Sequence, residues 1–464
     1  MKIKGVLIRS ALIAALGGLL FGFDVAVISG AEEALKELYA DRYNSLSVFF
    51  GSSGFWHGFT VASALIGTIV GSLVFGKPAD KYGRRKVLFF LGALYFISAV
   101  GSAFAGSWFT FLMFRFIGGL AVGGSSVIAP MYNAEISPAR FRGRMVALTQ
   151  FNIVLGVLLA FLSNYFITSL NLGEITWRWM FGVEAIPAFA FVLLLFLNPR
   201  SPRWLVSQNL LAEAKDVIES LGSDHDNVEE EIAAIQKSLY AEKETKKEPL
   251  FQAKYFKPIM LAVVIAIFNQ LSGINALMYY TPRIFQMAGF EKGSALLSSV
   301  GIGVVNLIFT MGALLVIDNF GRKKLMVVGS IGYIVSLATT AWAFYQYGTD
   351  FSDVGSIVVL VSLLVFVSSH AFGQGAVIWV FISEIFPNKV RARGQALGSF
   401  THWFMAAGIS WIFPMVAERS GGHVFTFFAV CMVGQLIWVV MKMPETKNIS
   451  LEDMEKKLGI KDGD

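Results

Sequence analysis

Charge is what this sequence has little of. Lysine, arginine, aspartate and glutamate together make up 15% of its 464 residues, against about 25% in a soluble globular chain. So few charges could not cover the water-facing surface of a soluble protein of this size. Cysteine is nearly missing: Cys431 stands alone, so no disulfide can form within the chain and a Cys/His metal site is disfavoured. Proline is sparse at 12, whereas glycine reaches 45 and phenylalanine 42, a mix suited to helices packed in lipid. Also missing are a phosphate-binding loop, a nucleophile elbow and paired catalytic carboxylates, which argues against an ATP-driven pump and against an enzyme. His57, His225, His370 and His423 lack metal-ligand spacing. No cofactor is expected. A net charge of +6 would hint at nucleic acid in a soluble protein, but here the basic residues sit in short loops between apolar runs, and a nucleic-acid partner is not expected.

What is present is hydrophobic sequence, with 55% apolar residues and a mean hydropathy of +0.62. A helix that crosses the hydrocarbon of a bilayer needs about 20 mostly apolar residues. Twelve runs qualify, near residues 8–30, 55–76, 87–106, 111–133, 146–168, 179–197, 258–281, 296–317, 325–345, 356–386, 395–417 and 423–442. The first is not a signal peptide, because its apolar run is too long and contains Asp24. The loops after runs two, four, eight and ten hold fourteen Lys and Arg, and the opposite loops hold six. By the positive-inside rule both termini are cytoplasmic. Residues 198–257 are polar and mixed in charge with helical spacing, and read as a solvated helical linker that splits the runs six and six. The expected architecture is an all-α membrane protein: a six-helix half over 1–197, the linker over 198–257, a second six-helix half over 258–442 and a cytoplasmic tail over 443–464.

The halves repeat short motifs. Asp80-Lys81-Tyr82-Gly83-Arg84-Arg85-Lys86 follows run two, and Asp318-Asn319-Phe320-Gly321-Arg322-Lys323-Lys324 follows run eight. Glu135-Ile136-Ser137-Pro138 with Arg142 follows run four, and Glu384-Ile385-Phe386-Pro387 with Arg391 follows run ten. Recurrence in the same order argues for duplication of a six-helix unit. A duplicated bundle suits alternating access, one half rocking against the other around a central site. Together with Arg115-Phe116-Ile117-Gly118-Gly119, Trp177-Arg178-Trp179, Ser201-Pro202-Arg203-Trp204, Gln270-Leu271-Ser272-Gly273-Ile274-Asn275 and Pro444-Glu445-Thr446, the sequence resembles the sugar porter family of the major facilitator superfamily. The resemblance runs from the first span to Pro444 and is nearest in pattern to bacterial proton-coupled, xylose-type monosaccharide symporters. It implies the major facilitator fold. It also implies that Asp80, Arg84, Glu135, Arg142, Asp318, Arg322, Glu384 and Arg391 form cytoplasmic bridges that hold the outward-facing state. Arg200 departs from the family, which has Glu before Ser-Pro-Arg, at the expense of one such bridge.

Asp24 lies in the middle of the first run. A carboxylate inside a bilayer is costly, so by default it is functional and has a partner; the alternative is an acid held against Arg only to fix helix packing. Arg115, in run four, is the expected partner. The resemblance implies the same, since proton-coupled members of the family carry Asp here with that Arg, while many uniporters carry a neutral residue. A proton on Asp24 would release the pair and let the halves rock. Glu184, near Trp177-Arg178, reads equally as a second titratable group or as a packing acid at the mouth of its span.

A sugar needs uncharged amide donors and acceptors together with aromatic platforms. The spans supply Gln150, Asn269, Gln270, Asn275, Asn306, Trp379, His402 and Trp403. Any one such amide can equally serve to join neighbouring helices. The resemblance implies sugar contacts at Gln150, Gln270, Asn275, Asn306 and Trp379, with Phe21 and Tyr279 closing over the ligand. Asn269 stands where the family most often has Gln, and His402 where Asn or Gln precedes the Trp. Val157 replaces a residue that is sometimes polar, and the three departures together favour a monosaccharide and leave pentose against hexose open. The sequence thus reads as a monosaccharide:proton symporter, multi-pass in a bacterial inner membrane, its partners the sugar, the proton and the lipid, working as a monomer. A facilitative uniporter and a polyol or inositol porter would share the site.

Overall fold

The computed structural model describes residues 5–138, 142–222, 225–244, 248–449 and 451–460. They form helices joined by short turns, with no strand among them. Among the described residues, twelve helices are long and apolar enough to cross a membrane: span 1 Gly5–Leu38, span 2 Ser53–Val74, span 3 Arg84–Ala103, span 4 Trp108–Ile136, span 5 Gly143–Ser169, span 6 Gly173–Leu197, span 7 Ala253–Met287, span 8 Lys292–Ile317, span 9 Arg322–Tyr347, span 10 Asp353–Glu384, span 11 Arg391–Ala417 and span 12 Gly421–Met441. Between spans 6 and 7 come three helices, Pro202–Ser207, Leu211–Leu221 and His225–Glu244. Trp204, Leu205, Val206 and Ala214 form a small core there, against Ile232, Ile235 and Leu239. Burying that stripe is what lets so polar a segment fold.

Several spans differ from the apolar runs that signal them. Span 1 continues to Leu38, well past the end of its run, because Glu32 is buried and paired rather than solvated. Span 6 is interrupted at Val183–Glu184, between Thr176–Gly182 and Ala185–Leu194. Pro187 has no N–H to continue the ladder back to Val183, so the break falls there. Span 7 divides into Phe256–Leu271 and Ile274–Met287 at Ser272–Gly273. Span 10 divides into Asp353–Phe372 and Gln374–Glu384 at Gly373. Broken helices free backbone groups, which lipid cannot satisfy, so such breaks are found where protein surrounds them.

By packing, the chain divides into two compact units: Met1–Asp24, Gly67–Val157 and Phe181–Lys247 form unit 1; Val25–Ile66, Leu158–Met180 and Glu248–Asp464 form unit 2. Leu20, Leu88, Leu91, Tyr95, Val122, Ile128 and Phe191 are core residues of unit 1. Ile265, Met326, Val377, Phe381 and Val439 are core residues of unit 2, where Met454 and Leu458 of the helix Leu451–Leu458 dock. The outward faces are apolar too: Phe109, Ile186, Leu315 and Phe427 are more than half exposed. That pattern is costly in water and natural in lipid.

Close helix contact in lipid rests on small residues. A Cβ added at Gly123 of span 4 would lie 2.2 Å from the Thr68 carbonyl oxygen of span 2, whereas one added at Gly312 of span 8 meets nothing within 4 Å. Gly123→Ala should therefore destabilise by about 1–3 kcal/mol through overpacking. Gly312→Ala should stabilise by about 0.5–1 kcal/mol through helix propensity. Thermal midpoints of the purified protein should move in opposite directions for the two variants.

Candidate functional site

Unit 1 holds a charge pair deep inside the spans. Arg115 Nη1 donates to Asp24 Oδ1 at 2.6 Å, and its Nη2 lies 3.3 Å from the Asp24 carbonyl oxygen. Both residues are 1% exposed. The guanidinium also lies over the Phe181 ring, 5.2 Å from its centroid, a cation–π contact that a desolvated arginine favours. Room for the carboxylate comes from Gly118, where a Cβ would sit 3.2 Å from Asp24 Oδ1 and 2.4 Å from Ser98 Oγ. Glu184, at the break in span 6, is 2% exposed, and its Oε1 has no hydrogen-bond partner among the described residues. It feels the charges of both Asp24 and Arg115. Three ionisable groups thus share one dry region with a net charge of one negative when all are ionised. Removing either partner of such a buried pair costs about 3–5 kcal/mol, because the other charge is left uncompensated.

The amides expected to bind sugar divide between the units. Phe21 and Gln150 lie half-buried in unit 1; Asn269, Gln270, Asn275, Tyr279, Asn306, Trp379, His402 and Trp403 lie in unit 2. Within unit 2 a network centres on Gln270. Its Nε2 donates to Asn269 Oδ1 at 2.9 Å and lies 3.3 Å from each His402 ring nitrogen, while its Oε1 accepts from Asn275 Nδ2 at 2.9 Å. A neutral imidazole has one acceptor nitrogen, so Gln270 spends its second amide hydrogen on one tautomer of His402. His402 in turn packs against the Trp379 and Trp403 rings, with centroids 4.9 Å and 4.8 Å away. Trp379 is 40% exposed, a face free to meet a ligand. Asn306 accepts a long bond from Thr310 Oγ1 at 3.4 Å, and Tyr279 is fully buried.

Three other buried amides, in spans 4 and 5 and just past span 6, donate to backbone. Asn133 Nδ2 reaches the Ala11 carbonyl oxygen at 3.3 Å, Asn164 Nδ2 the Val27 carbonyl oxygen at 3.0 Å, and Asn198 Nδ2 the Ser10 carbonyl oxygen at 3.0 Å. These bind helix to helix and are not free to exchange. The Gln270 set bonds side chain to side chain, as Gln374, Gln435 and Ser330 also do.

The repeated motifs build the same arrangement in each unit. Gly83 has φ 92° and ψ 148°, and Gly321 has φ 88° and ψ 156°, a left-handed backbone that L side chains rarely adopt. Each glycine turns the chain into a helix that begins with an arginine. In unit 1, Arg84 Nε donates to Glu135 Oε1 at 2.9 Å, Nη1 to the Ala79 carbonyl oxygen at 3.0 Å, and Nη2 pairs with the exposed Asp80 at 3.0 Å. In unit 2, Arg322 Nη2 and Nε donate to Glu384 at 2.9 and 3.2 Å, and Nη1 to the Ile317 carbonyl oxygen at 3.3 Å. A hydroxyl completes each glutamate: Ser201 Oγ donates to Glu135 Oε2 at 2.5 Å, and Thr446 Oγ1 to Glu384 Oε2 at 2.6 Å. Arg391 Nε donates to the Phe386 carbonyl oxygen at 3.4 Å. The side chains of Arg142 and Asp318 lie outside the described residues. Arg200 pairs with Glu213 at 3.1 Å on the surface, which stabilises little.

Sequence reading gave Ser201, Trp204, Glu445 and Thr446 no role, although their motifs were visible. Trp204 Nε1 donates to the Asp80 carbonyl oxygen at 3.0 Å. Glu445 accepts from the backbone N–H groups of Arg322, Lys323, Thr446 and Lys447 at 2.9–3.0 Å. Two of these are the first N–H groups of span 9, where a carboxylate is favoured by the helix dipole. Burial alone would raise the Glu445 carboxyl, but these four donors outweigh it and hold it below the usual carboxylate range. A lowered folded-state value contributes stability that is present above the unfolded carboxylate's pKa and lost as pH falls through the folded one. The wild type should therefore exceed Glu445→Gln in thermal midpoint at pH 7, and the gap should close on titration from about pH 4.3 downward. A gap independent of pH would remove the ionised carboxylate as its source.

Residues 10–458 match the family described as sugar (and other) transporter. The chain is 36% identical to the D-xylose-proton symporter of Escherichia coli (strain K12), over 96% of this chain and 94% of that one. It is 35% identical to the arabinose-proton symporter of Bacillus subtilis (strain 168), over 97% and 95%. Among solved structures, the inward-open xylose transporter XylE from E. coli superposes with a TM-score of 0.84 at 34% identity, covering 97% of this chain and 99% of that one. The same symporter bound to 6-bromo-6-deoxy-D-glucose gives 0.79 at 34% identity, covering 98% and 100%. A family match over nearly the whole chain, with similarity of fold and sequence at full length, has one reading: the chain is a membrane transporter of the sugar (and other) transporter family.

Proposed function

We propose that this protein imports a monosaccharide together with protons by alternating access in a bacterial inner membrane, as a monomer with both termini cytoplasmic. The observation that carries proton coupling is the Asp24–Arg115 pair, held at 2.6 Å where water is excluded. A proton on Asp24 cancels the pair and leaves Arg115 seeking an anion. Glu184, with its open Oε1, is the acid that receives it. Exchange of one carboxylate for another moves span 4 relative to spans 1 and 6, and so ties protonation to the rocking of the six-span halves 1–197 and 258–442. The relatives named as xylose- and arabinose-proton symporters support this reading.

Within unit 2, sugar is held by Gln270, Asn275 and Asn306, with Trp379 as the platform and Tyr279 closing over it. On binding, hydroxyls take over the bonds that Gln270 makes to Asn269, Asn275 and His402. The gain per exchanged bond is small, about 1 kcal/mol, which suits a carrier that must also release its cargo. The Arg84–Glu135 and Arg322–Glu384 clusters act as cytoplasmic gates.

Asp24→Asn should abolish uphill accumulation of labelled sugar in proteoliposomes with an imposed proton gradient, while exchange across the membrane persists. Accumulation at the wild-type level would refute the coupling role and favour a uniporter. Gln270→Ala loses two or more bonds and should weaken sugar binding by roughly ten- to thirtyfold, at about 1 kcal/mol per bond and 1.4 kcal/mol per decade. His402→Asn should keep transport and reorder the competition of monosaccharides for one labelled sugar. An unchanged order would take His402 out of the site.

A further inference from the structure

A second buried cluster, which neither the motifs nor the coupling pair uses, lies in unit 2 at the end of span 8 remote from Gly321. Glu32, six residues from the end of span 1, is 2% exposed, and His57 of span 2 is not exposed at all. His57 Nε2 lies 2.6 Å from Glu32 Oε1, and Arg283 Nη1 of span 7 donates to the same oxygen at 2.7 Å. Arg283 Nη2 reaches Glu418 Oε1, at the end of span 11, at 3.4 Å, and Lys36 Nζ donates to that oxygen at 2.7 Å. Lys292, at the start of span 8, pairs with Glu33 at 3.3 Å. Spans 1 and 2 belong to the first sequence repeat, spans 7, 8 and 11 to the second. The chain of charges therefore joins residues from both halves of the duplication. Beside it lies a cavity of about 220 Å³, lined by Glu32, Glu33, Lys36, Arg283, Gln286 and Lys292, among others.

We propose that Glu32, His57, Arg283, Glu418 and Lys36 form an ion-pair gate at this end of the spans, closed while His57 is neutral and opened when His57 takes a proton. The proposal rests on the alternating-access reading, since a gate matters only where halves part. Glu32 is matched by Arg283 and Glu418 by Lys36, so the closed cluster is neutral before His57 is counted. A neutral His57 protonated on Nε2 donates to Glu32, and its bare Nδ1 has no partner among the described residues. A second proton would place an N–H donor there with no acceptor and add an unmatched positive charge beside Arg283. That is the costly case of an unsatisfied, charged, buried donor. Beyond Glu32, whose charge Arg283 already matches at the same oxygen, the groups facing His57 from neighbouring elements supply no second anion at the ring. Tyr43 of the short helix Ala40–Ser47 lies with its ring 5.7 Å from the His57 ring, and its hydroxyl is bonded to Thr60. Burial raises the Tyr43 phenol further, so it stays neutral. Tyr39, beyond the end of span 1, is raised by burial as well. Tyr280 of span 7 is bonded to the Ser410 carbonyl oxygen of span 11. Burial pulls the Glu418 carboxyl upward, but Lys36 and Arg283 outweigh it and hold it below the usual range. Glu418 thus keeps its charge where imidazoles titrate. Span 11 closes the last side through Trp411, whose Nε1 donates to the Phe55 carbonyl oxygen at 3.0 Å.

The test uses purified full-length protein in nanodiscs, where both faces are accessible and neither sugar nor transport is needed. In a Cys431→Ser background, Gln286→Cys places a thiol in the cavity wall, and a water-soluble maleimide reports its accessibility. Rates are divided by that of a free thiol at the same pH. The rate should rise by about tenfold between pH 8 and pH 5.5, the range in which imidazoles gain their second proton. His57→Gln keeps an N–H donor for Glu32 without titrating, and should give a slow rate at both pH values. His57→Asn gives the same reading with a shorter amide should the first variant not fold. Glu32→Gln removes the central anion and should label fast at pH 8. A pH response retained in both His57 variants, or a rate that falls on acidification, would overturn the proton-sensing role. A slow rate in Glu32→Gln at pH 8 would overturn the gate itself. None of these readings depends on sugar uptake, so they fail separately from the symport reading.

Discussion

An ionised side chain inside a bilayer has no water to screen it, and the environment of the Asp24–Arg115 pair follows from that fact. The pair is close because a buried charge left unmatched is costly. Gly118 makes room for the carboxylate, and the Phe181 ring takes up one face of the guanidinium. The break in span 6 presents Glu184 to the same dry region instead of to lipid. Glu184 has one oxygen without a hydrogen-bond partner among the described residues.

The same constraint separates two kinds of amide in the spans. Asn133, Asn164 and Asn198 spend their donors on backbone carbonyls of neighbouring helices, and so act as fixed joints. Gln270, Asn269, Asn275 and His402 satisfy one another. Mutual satisfaction leaves none of these buried amides dependent on a neighbouring helix's backbone. Composition cannot distinguish the two kinds, because an asparagine looks the same in either role.

Duplication shows at atomic detail. Gly83 and Gly321 share a backbone conformation, Arg84 and Arg322 each reach a carbonyl five residues back, and Glu135 and Glu384 each take a hydroxyl from a distant segment. The hydroxyl donors lie in different settings, however. Ser201 opens a helix between spans 6 and 7, and Thr446 follows span 12. A duplicated six-helix unit leaves each copy with a following segment, and in both copies that segment returns to close the Arg–Glu cluster.

Membrane class, the number of spans, the repeat and the Asp24–Arg115 partnership were legible in the sequence, because each follows from rules that act locally. Hydrocarbon thickness sets the length of an apolar run, and a buried acid needs a base. The Gly–Arg and Glu motifs were legible as repeats, and their pairing as a family expectation. The breaks at Glu184, Ser272–Gly273 and Gly373 were not, since hydropathy averages over them and only neighbouring helices can satisfy the freed backbone. Nor was the Glu32–His57–Arg283 cluster. In the sequence His57 was a lone histidine without metal spacing and Arg283 one more loop charge, separated by more than two hundred residues. Whether two such groups meet is decided by how spans 1, 2, 7 and 11 pack, and packing in lipid depends on side-chain shape and small-residue contacts that no single segment carries.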